Sequence, residues 1–462
     1  MTANPLFNPI VPQARFHPNF ALLRAEAGSE PTRLMMEEVF ASMTSVDGNF
    51  AEQFQTTGFD ARVFELFLHA YFTSIGAEVE RVGERPDFLL TRKTVTVAVE
   101  ATTANPTQTH GVPSVPITGV DLQALVDEET AARVVRANHE IPIRFGSALF
   151  TKLGKQYWNL PHVSGRPLVF AIEGFHAHDA PTFSSASLAQ YLYGLRQTGE
   201  HDADGRLVIA TETVDEHELG AKTIPSTFFG QPGAEHVSAV LFTNAGNVSK
   251  FTRMGYQAGL HRGNVIVTRY GVAWDPNPDA AEPKPFKYRL DDGPGQEPWG
   301  SGVEVFHNPN ALHPLSDDFF DDAVQTRLRG DQPVSWLPPF APFASFTKRL
   351  YLNFDSLRAM PATPNGFGTI LRREFDARRF AQRPDFDALN IAVDEVAWFG
   401  ERSNRVAGAV LRWHEREQYD GIVFAADVNG DWRYVDDVTG LTSLDSAAQA
   451  VLDSMRRQVA AL

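Results

Sequence analysis

The stretch Phe59–Asn105, FDARVFELFLHAYFTSIGAEVERVGERPDFLLTRKTVTVAVEATTAN, constrains the fold of this 462-residue chain more than any other. Phe64, Phe67, Leu68, Tyr71 and Phe72 recur at helical spacing, which predicts a core helix from Asp60 that Gly76 ends. GAEVERV, DFLLTR and TVTVAVEAT then read as three consecutive strands, the last β-branched and apolar as a buried central strand should be. A helix followed by strands of this kind predicts an α/β domain. Glu100 interrupts the apolar strand, and an acid there costs several kcal/mol unless it is paired or metal-bound.

Two further acids belong to the same segment. Asp87 follows Pro86 at the start of the second strand, thirteen positions before Glu100, and a hairpin turning near Arg92–Lys93 brings both acids to one end of the sheet. Glu65 sits on the preceding helix, where it can ligate directly or through water. Hard acids gathered in this way suit Mg²⁺ or Mn²⁺, which take oxygen ligands and keep several waters. Such an ion lowers the pKa of bound water and clamps phosphoryl oxygens.

Glu65, Pro86-Asp87 and Glu100-Ala101, in this order on helix, strand and strand, resemble the PD-(D/E)xK nuclease superfamily, the restriction-endonuclease-like fold. The resemblance runs from about Asp60 to His176 and implies an α-β-β-β-α-β core with insertions. The helix Gly146–Trp158 (GSALFTKLGKQYW) and the strand Arg166–His176 would be its last two elements. It implies that Asp87, Glu100 and the Ala101 carbonyl hold the metal while Glu65 assists. Thr102 stands where the family carries its Glu-x-Lys lysine. Some members supply that lysine from another element, which assigns its role here to Lys152, with Lys155 second and Gln156 beside them.

The rest of the chain organises around this core. Residues 1–55 read as an N-terminal arm and a helix from Thr32, 56–275 as the core with its insertions, 276–345 as a Pro- and Gly-rich connecting region, and 346–462 as a small α+β module. A helix is expected over 184–197, an irregular excursion over 198–235, and a hairpin at Asn429-Gly430. Hydrophobic content of 43% with 21% charged residues is that of a globular protein, and no run of eighteen apolar residues predicts a membrane span. Cysteine is absent, which removes disulfides, thiol nucleophiles and Cys-ligated zinc. Without a basic n-region and apolar core at its N-terminus, the chain reads as cytoplasmic.

A net charge of −16 argues against non-specific coating of nucleic acid but leaves room for a local basic groove. Lys250, Arg253 and Arg262, in a Gly- and Asn-rich stretch after an apolar strand, are candidates for holding phosphates on such a rim, together with Lys155 and Gln156. His176, His178 and Asp179 read as a polar strand end, and His217 as part of a solvated loop. No GxGxxG, GxxxxGK[ST], HExxH or GxSxG motif is present. The expectation is a Mg²⁺- or Mn²⁺-dependent endonuclease acting on nucleic acid, DNA first, in restriction-like defence or repair. A catalytically silent binding or assembly subunit is the alternative, and metal-dependent hydrolysis of a small molecule a third reading. The C-terminal module, without a catalytic constellation of its own, is expected to serve substrate engagement, a protein partner or a homo-oligomer.

Overall fold

The computed structural model describes residues 6–44, 48–81, 85–105, 131–175, 180, 183, 185–260, 265–293, 295–351, 395–403, 405–413, 418–426 and 432–461. The chain forms two compact units, residues 1–262 with 267–349, and residues 263–266 with 350–462.

Four helices open the first unit: α1 (Pro18–Ala25), α2 (Glu30–Ser42), α3 (Phe50–Gln55) and α4 (Phe59–Ser74). Strands β1 (Glu78–Glu80), β2 (Phe88–Arg92) and β3 (Val95–Ala104) follow. Next come α5 (Ala131–Val135), a π-helical turn over Arg136–Glu140, α6 (Ile141–Leu153), β4 (Leu168–Gly174) and α7 (Ala186–Tyr193). Two hairpins, β5 (Leu195–His201) with β6 (Leu207–Thr213) and β7 (Glu216–Leu219) with β8 (Lys222–Pro225), precede β9 (Ala239–Thr243) and α8 (Val248–Gln257). Along the chain follow β10 (Val265–Ala273), β11 (Lys284–Arg289), β12 (Val303–His307), β13 (Val324–Arg329), β14 (Gln332–Trp336) and β15 (Pro342–Tyr351), of which β10 and β15 cross the boundary between the units.

Eight of these strands make one mixed sheet in the order β1-β2-β3-β4-β9-β12-β13-β14. At its centre β3, β4 and β9 run parallel, while β1–β2–β3 form an antiparallel meander on one side. Every residue of β4 and β9 is buried, as central strands covered on both faces require. Val99, Ala171 and Leu241 face the layer that holds Phe64, Phe67 and Phe72 of α4. The alternate residues Ala98, Phe170 and Val240 face Phe145 and Leu149 of α6 and Leu188 and Tyr191 of α7. Full burial of one such aromatic or aliphatic side chain contributes about 1.5–3 kcal/mol. The result is a mixed α/β architecture. In the second unit, β16 (Glu395–Ser403), β17 (Val406–Trp413), β18 (Gln418–Ala426) and β19 (Trp432–Leu441) form an antiparallel sheet, and α9 (Leu444–Ala461) sets Ala447, Val451 and Met455 onto Val406, Val410 and Val423.

Several elements differ from the sequence reading. Residues 276–345 are not merely a connection: they carry β11 to β14, and β12 to β14 extend the main sheet. The excursion 198–235 is largely two hairpins, and the helix expected to Gln197 stops at Tyr193 because Gly194 turns the chain at φ +71°. The helix expected over Gly146–Trp158 instead runs Ile141–Leu153, with Pro142 in its first turn, and leaves Lys155 and Gln156 in the turn beyond. Asn429-Gly430 lie outside the described residues, although Ala426 and Trp432 on either side are paired. His217 is fully buried in β7, bonded to the Asn138 carbonyl and Ser226, rather than solvated. Among the described residues, no helix is long and apolar enough to cross a membrane.

Helix α8 packs closely on α2. Thr32 Oγ1 and Thr252 Oγ1 are 2.8 Å apart, and a Cβ on Gly255 would lie 2.1 Å from the Pro31 carbonyl oxygen. Gly255→Ala is therefore expected to destabilise the unit by about 1–3 kcal/mol. A urea midpoint lowered at unchanged slope would register this, and an unmoved midpoint would contradict it.

Candidate active site

Strand β3 delivers Glu100 from the middle of the sheet. Phe88 of β2 pairs with Val99, so Asp87, one residue before β2, falls beside Glu100 and Ala101. Asp87 Oδ2 accepts the Ala101 N–H at 2.7 Å, so that the side chain continues the ladder where the strand has ended. The N–H and C=O of one strand residue face the same side, which directs the Ala101 carbonyl toward this edge as well.

The α6 layer completes the group. Lys152, in the last turn of α6, donates from Nζ to Glu100 Oε1 at 2.5 Å. Tyr157, in the 3₁₀ turn Tyr157–Asn159, donates its hydroxyl to the same oxygen at 2.7 Å. Glu100 is 5% exposed, and its second oxygen, Oε2, is buried with no hydrogen-bond partner. Thr102 lies two residues further along the same face of β3. Burial pushes the Asp87 carboxyl up to about 7, with Glu100 and then Glu65 adding to the shift, while the Ala101 N–H and Lys152 pull the other way. Burial and Glu100 likewise hold the Tyr157 phenol above its ordinary value. The two carboxylates have one lysine, Lys152, in direct contact.

These residues fit a hard divalent cation in part. Two carboxylates and a peptide carbonyl on one edge, with one carboxylate oxygen unpartnered, match the small protein ligand set Mg²⁺ uses beside water and phosphate. Glu65 does not join them: Arg62 Nη1 donates to both of its oxygens at 2.9 Å, and Arg81 Nη2 donates to Oε2 at 2.8 Å. The expected role of Glu65 as a ligand is corrected accordingly, because two guanidiniums already neutralise it. Among the described residues no group of three or more His, Cys, Asp or Glu side chains is arranged to hold a metal. A cation here would rest on Asp87, Glu100 and the Ala101 carbonyl.

The expected phosphate rim needs a larger correction. Lys250 and Arg253 are 0% and 1% exposed. Lys250 Nζ donates to Glu297 Oε1 at 2.6 Å, Arg253 grips both oxygens of Glu297, and Arg269 lies 3.3 Å from Oε2. Burial opposes ionisation of Glu297, but Arg253, Lys250 and Arg269 outweigh it and hold its carboxyl below the usual range. This cluster is internal and closed to a phosphate backbone. Arg262, His176, His178 and Asp179 lie outside the described residues. Lys155 and Gln156 are exposed in the turn between Lys152 and Tyr157.

Three features were not anticipated from sequence. Tyr157 is one, and an aromatic pair such as Tyr157-Trp158 in a short turn carries no periodic signal. Arg85 is another: its exposed side chain stands two residues before Asp87, and its carbonyl is 2.7 Å from His162 Nε2. The third is Glu173 in β4, opposite Thr103 and hence on the other face from Glu100; it is 1% exposed, with Oε2 buried and unpartnered. Burial and then nearby Asp60 push the Glu173 carboxyl up, and burial raises Asp60 to about 7. An acid inside the apolar run LVFAIEG is the same signal that marked Glu100.

Compared with protein-family models, with curated proteins and with solved structures, the chain matches none.

Because Glu297 answers three buried cations, its removal leaves them uncompensated. Glu297→Gln is expected to lower stability by about 3–5 kcal/mol. A loss below 1 kcal/mol in chemical denaturation would show the cluster to be solvated rather than internal.

Proposed function

We propose that this chain is a divalent-cation-dependent nuclease of the PD-(D/E)xK type, with Asp87 and Glu100 as metal ligands, Lys152 as the active-site cation and DNA as the substrate. What supports the reading is the meeting of Asp87, Glu100 and Lys152 at one edge of the sheet, with the lysine arriving from α6 instead of from position 102. Glu65, closed by Arg62 and Arg81, has no part in this reading, and the restriction-endonuclease-like assignment of the core rests on Asp87, Glu100 and Lys152 and their order.

A bound Mg²⁺ or Mn²⁺ would supply Lewis acidity toward phosphate oxygens and lower the pKa of water. Asp87 is pre-oriented by the Ala101 N–H. The Lys152 ammonium has three donors, of which one is committed to Glu100, so two are left to orient water or to meet charge growing on a phosphate oxygen. Thr102 can donate a hydrogen bond but brings no charge. Arg85 and Lys155, both exposed beside the site, are suited to contacting the flanking phosphates.

Cleavage of single- and double-stranded DNA and of RNA, assayed with Mg²⁺ and Mn²⁺, tests the reading. Asp87→Asn and Glu100→Gln should abolish cleavage, and Lys152→Met should reduce kcat by about 10²–10³-fold. No cleavage of any nucleic acid by the wild type with either ion would remove the nuclease reading. It would favour the second one, a catalytically silent binding or assembly subunit, to which Thr102 and the lack, among the described residues, of a third free acid at the site point. Arg85→Ala and Lys155→Ala should each weaken DNA binding regardless of sequence and lessen the slope of log K against log salt by about 1. Unchanged slopes would take these residues off the binding surface.

A further inference from the structure

Tyr157 and Lys152 share one acceptor, Glu100 Oε1, yet they are differently built for holding it. The Lys152 side chain is 24% exposed and hangs on four rotatable bonds. Tyr157 is 3% exposed, turns about only two, and lays its ring edge-on against Phe170 with centroids 6.1 Å apart. A flexible, partly exposed ammonium restrains a carboxylate weakly, because holding it in one place costs rotamer entropy that a buried ring has already lost. A tyrosine serving only to fill space would be complete with its ring packing. This one also aims its hydroxyl at a buried carboxylate whose other oxygen has no partner.

We infer that Tyr157 is a positioning residue: its hydroxyl fixes Glu100 through Oε1 and so commits Oε2 to the metal edge shared with Asp87. The role rests on the proposed cation site. It also divides labour at Glu100 Oε1, since Lys152 can turn toward water or phosphate while Tyr157 keeps the ligand oriented. Outer-shell partners of this kind typically carry 10–100-fold in metal affinity.

The test is Mn²⁺ binding by the full-length chain without nucleic acid, followed by calorimetry and by the EPR signal of free Mn²⁺. The wild type should bind, Glu100→Gln should not, and Tyr157→Phe should bind about 10–100-fold more weakly while still folding cooperatively in the metal-free state, its Tm lowered by the loss of one buried hydrogen bond. Lys152→Met should keep nearly wild-type affinity despite its loss of cleavage, and Tyr157→His, which restores a ring N–H donor, should recover most of what Tyr157→Phe loses. Wild-type affinity in Tyr157→Phe would overturn the role of Tyr157 and leave the metal site standing. Absence of Mn²⁺ binding in the wild type would remove the metal site and this role with it. Loss of fold in both Tyr157 variants would also overturn the inference, because the side chain would then be holding the chain together rather than steering Oε2.

Discussion

A carboxylate buried in the middle of the main sheet is the constraint on which the first unit turns. Glu100 sits on β3 between two neighbouring strands, where an ion loses several kcal/mol of hydration unless donors replace the water. The donors come from one place, the end of α6 and the turn after it. For Lys152 to reach Glu100, α6 must lie on this face of the sheet; for Tyr157 to reach it, the helix must stop at Leu153 and the chain must reverse. Gln156, at φ +53°, makes that reversal. Helix length, turn geometry and the seat of the Tyr157 ring on Phe170 all answer to one charge.

The balance of charge separates this cluster from the other buried ion groups of the unit. Glu297 has three cations around it and every strong interaction is internal, which is the composition of a structural knot. Glu65 is likewise closed by Arg62 and Arg81. Asp87 and Glu100 share a single lysine, and one oxygen of Glu100 is left bare. Two carboxylates sharing one lysine, with a buried oxygen left unpartnered, is the condition under which a divalent ion improves the electrostatics rather than competing with them. The same criterion draws attention to Glu173 on the opposite face, where the surroundings are Phe64, Phe67 and Gly246 and the physical answer is a carboxyl favoured in its neutral form.

Much of the core was legible in the residues, for identifiable reasons. The α4 stripe and the β2–β3 hairpin were readable because apolar periodicity is strong there and because a charge inside VTVAVEAT is conspicuous. The contact of Lys152 with Glu100 was reachable by asking which cation could answer an acid in an apolar strand. Lys250 and Arg253 misled, since basic residues in a Gly- and Asn-rich stretch usually meet water. What buries them is Glu297, 44 to 47 residues away, and no local pattern announces such a partner. The strands β12 to β14 were missed because each spans only five or six residues between Pro and Gly, too few for alternation to stand out.

By itself the sequence determined the mixed α/β character, the order of helix and strands from Phe59 to Ala104, and the acids Asp87 and Glu100 as a pair at one strand edge. These follow from spacing along the chain, which local physics sets through helical and strand periods. Only the tertiary structure decided which charges are open and which are spent. It closed Glu65, Lys250 and Arg253 inside ion pairs, brought Tyr157 onto Glu100, and left Oε2 without a partner. Pairing and burial depend on segments that meet only when the layers pack, and the free energy of a charge is set by what surrounds it in space rather than by its neighbours in sequence.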